Sequence, residues 1–157
     1  MPDSGDYAAE LQRHPFMAGM APELIERMAG CVIGSTRWEE DEVIFRSGGA
    51  AERCYLVLSG EIALEVYSPG SRPRIVLTIS RGEVLGWSWL FEPYRWAFDA
   101  KVMTPAEALV LDGEAIRNCI VEHKDLGYEV MSRFARLIVD RLQATRLQLL
   151  DFYASNT

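Results

Sequence analysis

A chain of 157 residues, 49% hydrophobic and 25% charged, is long enough for one domain with a sizeable core. Its formal net charge of -7 opposes a nucleic-acid partner, because DNA affinity rests on Lys and Arg neutralising phosphates. Three cysteines, Cys31, Cys54 and Cys119, are odd in number and far apart, which implies neither a disulfide framework nor a metal site.

The N-terminal residues lack the basic start and apolar run of a signal peptide, and no stretch of about 18 apolar residues follows. A cytoplasmic protein that neither spans a membrane nor binds DNA is expected. Residues 1–14 are read as a flexible arm, small and polar over the first eight. His14-Pro15-Phe16 begins a turn. Ala21-Pro22-Glu23 resembles a helix start, with proline early and an acid in the first turn, and Leu24, Ile25 and Met28 follow at helical spacing.

From residue 32 to residue 112 the pattern predicts short strands. Val43-Ile44-Phe45 ends at Ser47-Gly48-Gly49, and Cys54 to Leu58 ends at Ser59-Gly60. Ile62 to Tyr67 ends at Ser68-Pro69-Gly70, Ile75 to Ile79 at Arg81-Gly82, and Ala108 to Leu111 at Asp112-Gly113. Strands at this regular spacing predict a sandwich or barrel, and closure would hide their edges. The acidic run Glu39-Glu40-Asp41-Glu42 lacks the glycine and alternation of a calcium loop and reads as a solvated turn.

Glu114 to Val121 is a predicted short helix, and one long helix is predicted over 125–152. The long helix carries two apolar stripes. Tyr128, Met131, Ala135, Ile138, Leu142, Thr145, Leu149 and Phe152 step by three and four, the spacing of a coiled-coil seam. Val130, Phe134 and Leu137 lie on a neighbouring face. The second stripe is expected to pack on the chain's own barrel and the first to meet a second copy of the chain; the alternative is that the seam packs within one subunit. Arg133, Arg136, Arg141 and Arg146 are expected on the solvent side, paired with acids such as Glu129 and Asp140.

Helical lead-in, barrel and long helix come in the order found in the cyclic nucleotide-binding domains. The likeness covers roughly residues 15 to 152. Val43 to Gly48 and Tyr55 to Leu64 resemble the early barrel, and Gly82-Glu83-Val84-Leu85-Gly86 the approach to the phosphate cassette. Ala108 to Asp112 resembles the last strand, and Arg141-Leu142-Gln143-Ala144-Thr145 the dimer helix of the catabolite activator subfamily. The resemblance implies an α+β fold, a jelly-roll-like barrel with N-terminal helices and a long C-terminal helix. It also implies a ligand site at Gly86, Trp87, Ser88, Trp89, Arg95, Trp96, Ala97 and Thr145.

Two departures bear on that site. The family cassette holds the ribose hydroxyl on a glutamate, where this chain has Trp87, and the cyclic phosphate on an arginine followed by a small residue. Counting back from Thr104 puts Trp96 in the arginine position, with Arg95 one residue early and Ala97 matching the small residue. In a strand, a one-residue shift turns a side chain to the opposite face. Thr145 matches the position that contacts the adenine base.

Three readings of this aromatic-rich segment stay open. The rings complete a core, they line a rebuilt pocket for a more apolar ligand, or Arg95 supports ordinary cyclic nucleotide binding. His14 and His123 both fall outside the barrel, unlike the metal-bearing histidines of the similar-looking cupins. No nucleophile elbow or P-loop is present. The chain stops at Thr157, just past the long helix, so no recognition helix is expected to read DNA. The sequence thus predicts a non-enzymatic, metal-free regulatory domain, a homodimer with weak or no cyclic AMP or cyclic GMP binding and no other cofactor. A genuine cyclic nucleotide receptor signalling through its last helix, and a ligand-free dimer or interaction module, are the alternatives. A small-molecule ligand and a protein partner remain unidentified.

Overall fold

The structure, a computed structural model, describes the backbone of residues 4–155 and their side chains except those of residues 4–6, 152 and 155. Residues 1–14, expected as a flexible arm, contain a helix, α1 (Ser4–Arg13). Its Ala8 and Leu11 are buried and Tyr7 packs beside them on the core, so burial of one apolar face orders a segment that its small residues alone would leave loose. A single 3-10 turn (Pro15–Met17) and α2 (Pro22–Ala29) follow. His14 caps the turn by accepting the Phe16 N–H at Nδ1 (3.2 Å). That bond places the ring proton on Nε2, which donates to the Val57 carbonyl (3.0 Å) and ties the lead-in to the barrel.

Six strands make the barrel among the described residues: β1 (Val32–Trp38), β2 (Val43–Phe45), β3 (Arg53–Val66), β4 (Arg74–Ser80), β5 (Val84–Leu85) and β6 (Asp99–Asp112). The order is β1-β6-β3-β4, with β2 pairing β6 and β5 pairing β3, all antiparallel. The runs Cys54–Leu58 and Ile62–Tyr67 are not separate strands: β3 is continuous, except that Tyr67 lies outside it. Gly60 bends the strand without ending it. It sits at φ +83, and a Cβ there would lie 2.3 Å from the Pro105 carbonyl oxygen, so only glycine fits. The β3–β6 register shifts around this point, from Val57 to Ile62, and the long pair curls into a barrel half. Inside it Val57, Ile62, Leu64, Ile79, Leu85 and Val102 form one apolar cluster.

The Asp112 carboxylate caps α3 (Gly113–Glu122) by accepting the Glu114 N–H. The last helix, α4 (Lys124–Ser155), has 32 residues and is about 48 Å long at 1.5 Å per residue. Val130 and Phe134 are buried and Leu137 is half-buried against the helix-side core, which also holds Leu11, Met28 and Trp89. Arg133 does not face solvent freely. It donates to the carbonyls of Phe16 (3.1 Å) and Ala18 (2.9 Å) and pairs with Glu129, fastening α4 to the lead-in. Among the described residues no helix is long and apolar enough to cross a membrane.

Candidate functional site

Strand β5 delivers the chain into Gly86, at φ +94, where the cassette turns under α4. Trp89 locks that turn. Its indole N–H donates to the Gly86 carbonyl (3.0 Å), and its ring is fully buried edge-on to Phe134 at 5.4 Å. Trp89 is therefore an anchor of the core rather than part of a pocket wall. The returning limb is held by backbone bonds between Gly49 and Trp96, Trp96 and Gly48, and Ala51 and Tyr94.

Along that limb the side chains alternate. Arg95 points outward and donates to the Gly48 carbonyl (3.2 Å), on an outer groove shared with Arg53 and Arg117. Trp96 points inward, 6% exposed, and stacks on Phe45 with centroids 3.8 Å apart and planes 7° from parallel. Its ring passes 2.6 Å from where a Cβ on Gly86 would stand. The inward place on this limb is thus taken by a neutral aromatic ring, and the arginine beside it lies outside.

Between the cassette and α4 remains a cleft of about 320 Å³, its open mouth included. Phe45, Trp87, Ser88, Trp96 and Phe98 line it, with Gly86 at its base and Ala97 at the exposed rim. Inside the mouth it has room for about one or two waters. Thr145 is not on this lining. It is exposed on α4, and its hydroxyl donates to the Arg141 carbonyl (2.9 Å).

Arg141, expected on the solvent side, occupies the α4 wall of the cleft and is only 8% exposed. Its Nη2 donates to the Val84 carbonyl, and its guanidinium lies 4.9 Å over the Trp87 ring. Nε and Nη1 are buried with no hydrogen-bond partner. Desolvation lowers its pKa to about 10, against the opposing charge of Glu83, so it stays charged at neutral pH. Glu83 itself accepts the Ser80 N–H (3.0 Å) and hydroxyl (2.9 Å).

Sequence reading missed Arg141 because charge argues for exposure. A signal was present nonetheless: 130, 134, 137 and 141 continue one three-four stripe, and its first three members pack on the barrel.

The predicted seam lies on another side of α4. Tyr128, Met131, Leu142 and Leu149 are 73%, 41%, 59% and 53% exposed; Ala135 and Thr145 are exposed and Ile138 half-buried. The Phe152 side chain falls outside the described residues. The barrel does not cover this face.

A curated relative, the CRP-like cAMP-activated global transcriptional regulator of Mycobacterium tuberculosis, is 22% identical over 108 residues, 69% of this chain. The chain spans about half the length of that relative, which is covered to 46%. A cyclic nucleotide-binding domain from Methylobacillus flagellatus KT superposes with a TM-score of 0.77 at 14% identity, over 94% of this chain and 83% of that one. The c-di-GMP responsive global regulator CLP of Xanthomonas campestris superposes at 0.70 with 18% identity, over 82% of this chain and 63% of that one. These likenesses establish a shared fold. The cyclic nucleotide-binding domain model matches residues 35–123, the span that holds most of the barrel, the cassette turn and α3. By that match the chain belongs to the cyclic nucleotide-binding domain family.

Proposed function

We propose that this chain is a non-enzymatic regulatory domain that binds cyclic AMP and cyclic GMP weakly or not at all. In this reading it senses a different occupant in the cleft under α4. The observation that carries the reading is the Trp96 ring, stacked on Phe45 and seated against Gly86. An indole there cannot make the bidentate contacts of a guanidinium to a phosphate, and it fills the space beside the turn. Trp87 stands where the family's ribose carboxylate is expected, and a site built to bond a hydroxyl discriminates strongly through that group. The fold is also shared by a regulator described as responsive to c-di-GMP, which supports a change of ligand on an unchanged barrel.

Dimerisation through α4 completes the proposal. Tyr128, Leu142 and Leu149 form an exposed apolar row at coiled-coil spacing, of the kind that marks an interface. Because Arg141 bonds to β5 at the base of the cleft while Leu142 lies on the seam, cleft occupancy and helix position are mechanically linked. An occupant would shift the population between two helix positions. Calorimetry with cyclic AMP and cyclic GMP tests the reading. The expected result is no heat, or a dissociation constant well above about 1 μM. Sub-micromolar binding of either nucleotide would overturn it.

A further inference from the structure

We propose that the cleft beneath α4 is a site for a small organic anion, a carboxylate carried on a flat apolar body, with the Arg141 guanidinium as its counter-charge. The inference deepens the reading of the cleft as a sensing pocket and rests on it. It starts from an imbalance of hydrogen bonds. Arg141 brings five N–H donors into a place where it meets one backbone carbonyl and the face of Trp87. Nε and Nη1 have no acceptor and no access to water. Among the described residues no carboxylate lies within ion-pair distance of it, and Glu83 acts only from further off. Buried charges are ordinarily paired and buried donors ordinarily bonded, so two of the guanidinium nitrogens lack the acceptors expected of them.

The walls define the rest of the occupant. Phe45, Trp96 and Phe98 are apolar and two of them are stacked flat, which suits a planar hydrocarbon body; Ser88 adds one hydroxyl. As it stands the cleft holds about one or two waters, so a single ring enters only if the half-buried Trp87 swings off the guanidinium, and a nucleotide would need far more room. One guanidinium in a chain of net charge -7 favours a single negative charge over the two of a phosphate monoester. A carboxylate also matches the guanidinium fork, so binding would replace unpaired donors with charge-assisted bonds.

The test titrates the full-length, ¹⁵N-labelled chain with sodium benzoate, benzyl alcohol, sodium phosphate and cyclic AMP, following the Arg141 Nε–H and Trp87 indole N–H signals. Benzoate is expected to shift both saturably, with a dissociation constant of about 1 mM or tighter. Benzyl alcohol, neutral and of similar shape, should bind about 10- to 100-fold more weakly, the worth of hydrogen bonds to a charged group. Arg141→Met should weaken benzoate by the same factor. The comparison of benzoate with benzyl alcohol on the unaltered chain stands whether or not that variant folds. No saturable shift at benzoate concentrations on the order of 10 mM overturns the anion site. So do equal affinities for benzoate and benzyl alcohol, or phosphate binding tighter than benzoate. If cyclic AMP is also weak in those cases, the regulatory reading survives without the anion site. Tight cyclic AMP binding instead removes both.

Discussion

Trp96→Ala separates a filled pocket from an open one. The indole is 6% exposed, and a buried Trp removes about 150–250 Å² from water. At about 25 cal/mol per Å², that burial is worth about 4–6 kcal/mol. Core truncations of this size cost about 3–5 kcal/mol. The stack on Phe45 adds about 0.5–1.5 kcal/mol to what is lost, whereas the cleft opens to solvent, so water fills part of the void and pulls the cost down. About 3–4 kcal/mol is the expected net destabilisation. For a domain of this size each kcal/mol moves the melting point by about 2–4 °C, so Tm should fall by about 6–16 °C. Thermal denaturation followed by far-UV circular dichroism, at fixed protein concentration, reads this directly. Trp87 is only half-buried and serves as the internal control: Trp87→Ala should lower Tm clearly less than Trp96→Ala. A Trp96→Ala midpoint within about 2 °C of wild type would show that the ring is not part of the packed interior, and the argument for a blocked cyclic nucleotide site would fall with it.

Two further outcomes follow from the same contacts. Replacing both Ile138 and Leu142 with Asp puts unpaired charges into the α4 seam, so the wild type should sediment as a dimer at micromolar concentration and the variant as a monomer; a wild-type monomer refutes the seam. Burial holds the His14 pKa below its ordinary 6.5, the Val57 bond opposing in part, so the folded state favours the neutral ring. The contribution of His14 is then complete above pH 6.5 and is lost as pH falls from 6.5 through the lower folded value, where protonating Nδ1 also breaks the bond from Phe16 N–H. Tm should therefore fall more steeply below pH 6.5 in wild type than in His14→Gln, and parallel slopes would refute this.

Much of the architecture was legible in residue order. Short apolar runs punctuated by glycine and proline marked β2, β4, most of β3 and only the end of β6, Ala108 to Leu111, and an uninterrupted three-four pattern marked α4. Even the opposed directions of Arg95 and Trp96 followed from strand alternation, because alternation is a local property of extended backbone. Gly60 was misread as a strand end because a positive-φ glycine signals a turn and a bend equally well; only the approach of Pro105 and Ala106 from β6 decides that the strand continues. Helix α1 escaped for a related reason, since a short segment gains its stability from the surface it covers rather than from its own propensity. The cleft depended most on tertiary structure. Arg141 lies on the same stripe as Val130, Phe134 and Leu137, but nothing local says that a guanidinium will be buried. Its burial is set by the height at which α4 crosses β5 and by the Trp87 ring that closes over it, and both are relations between segments more than fifty residues apart in the chain.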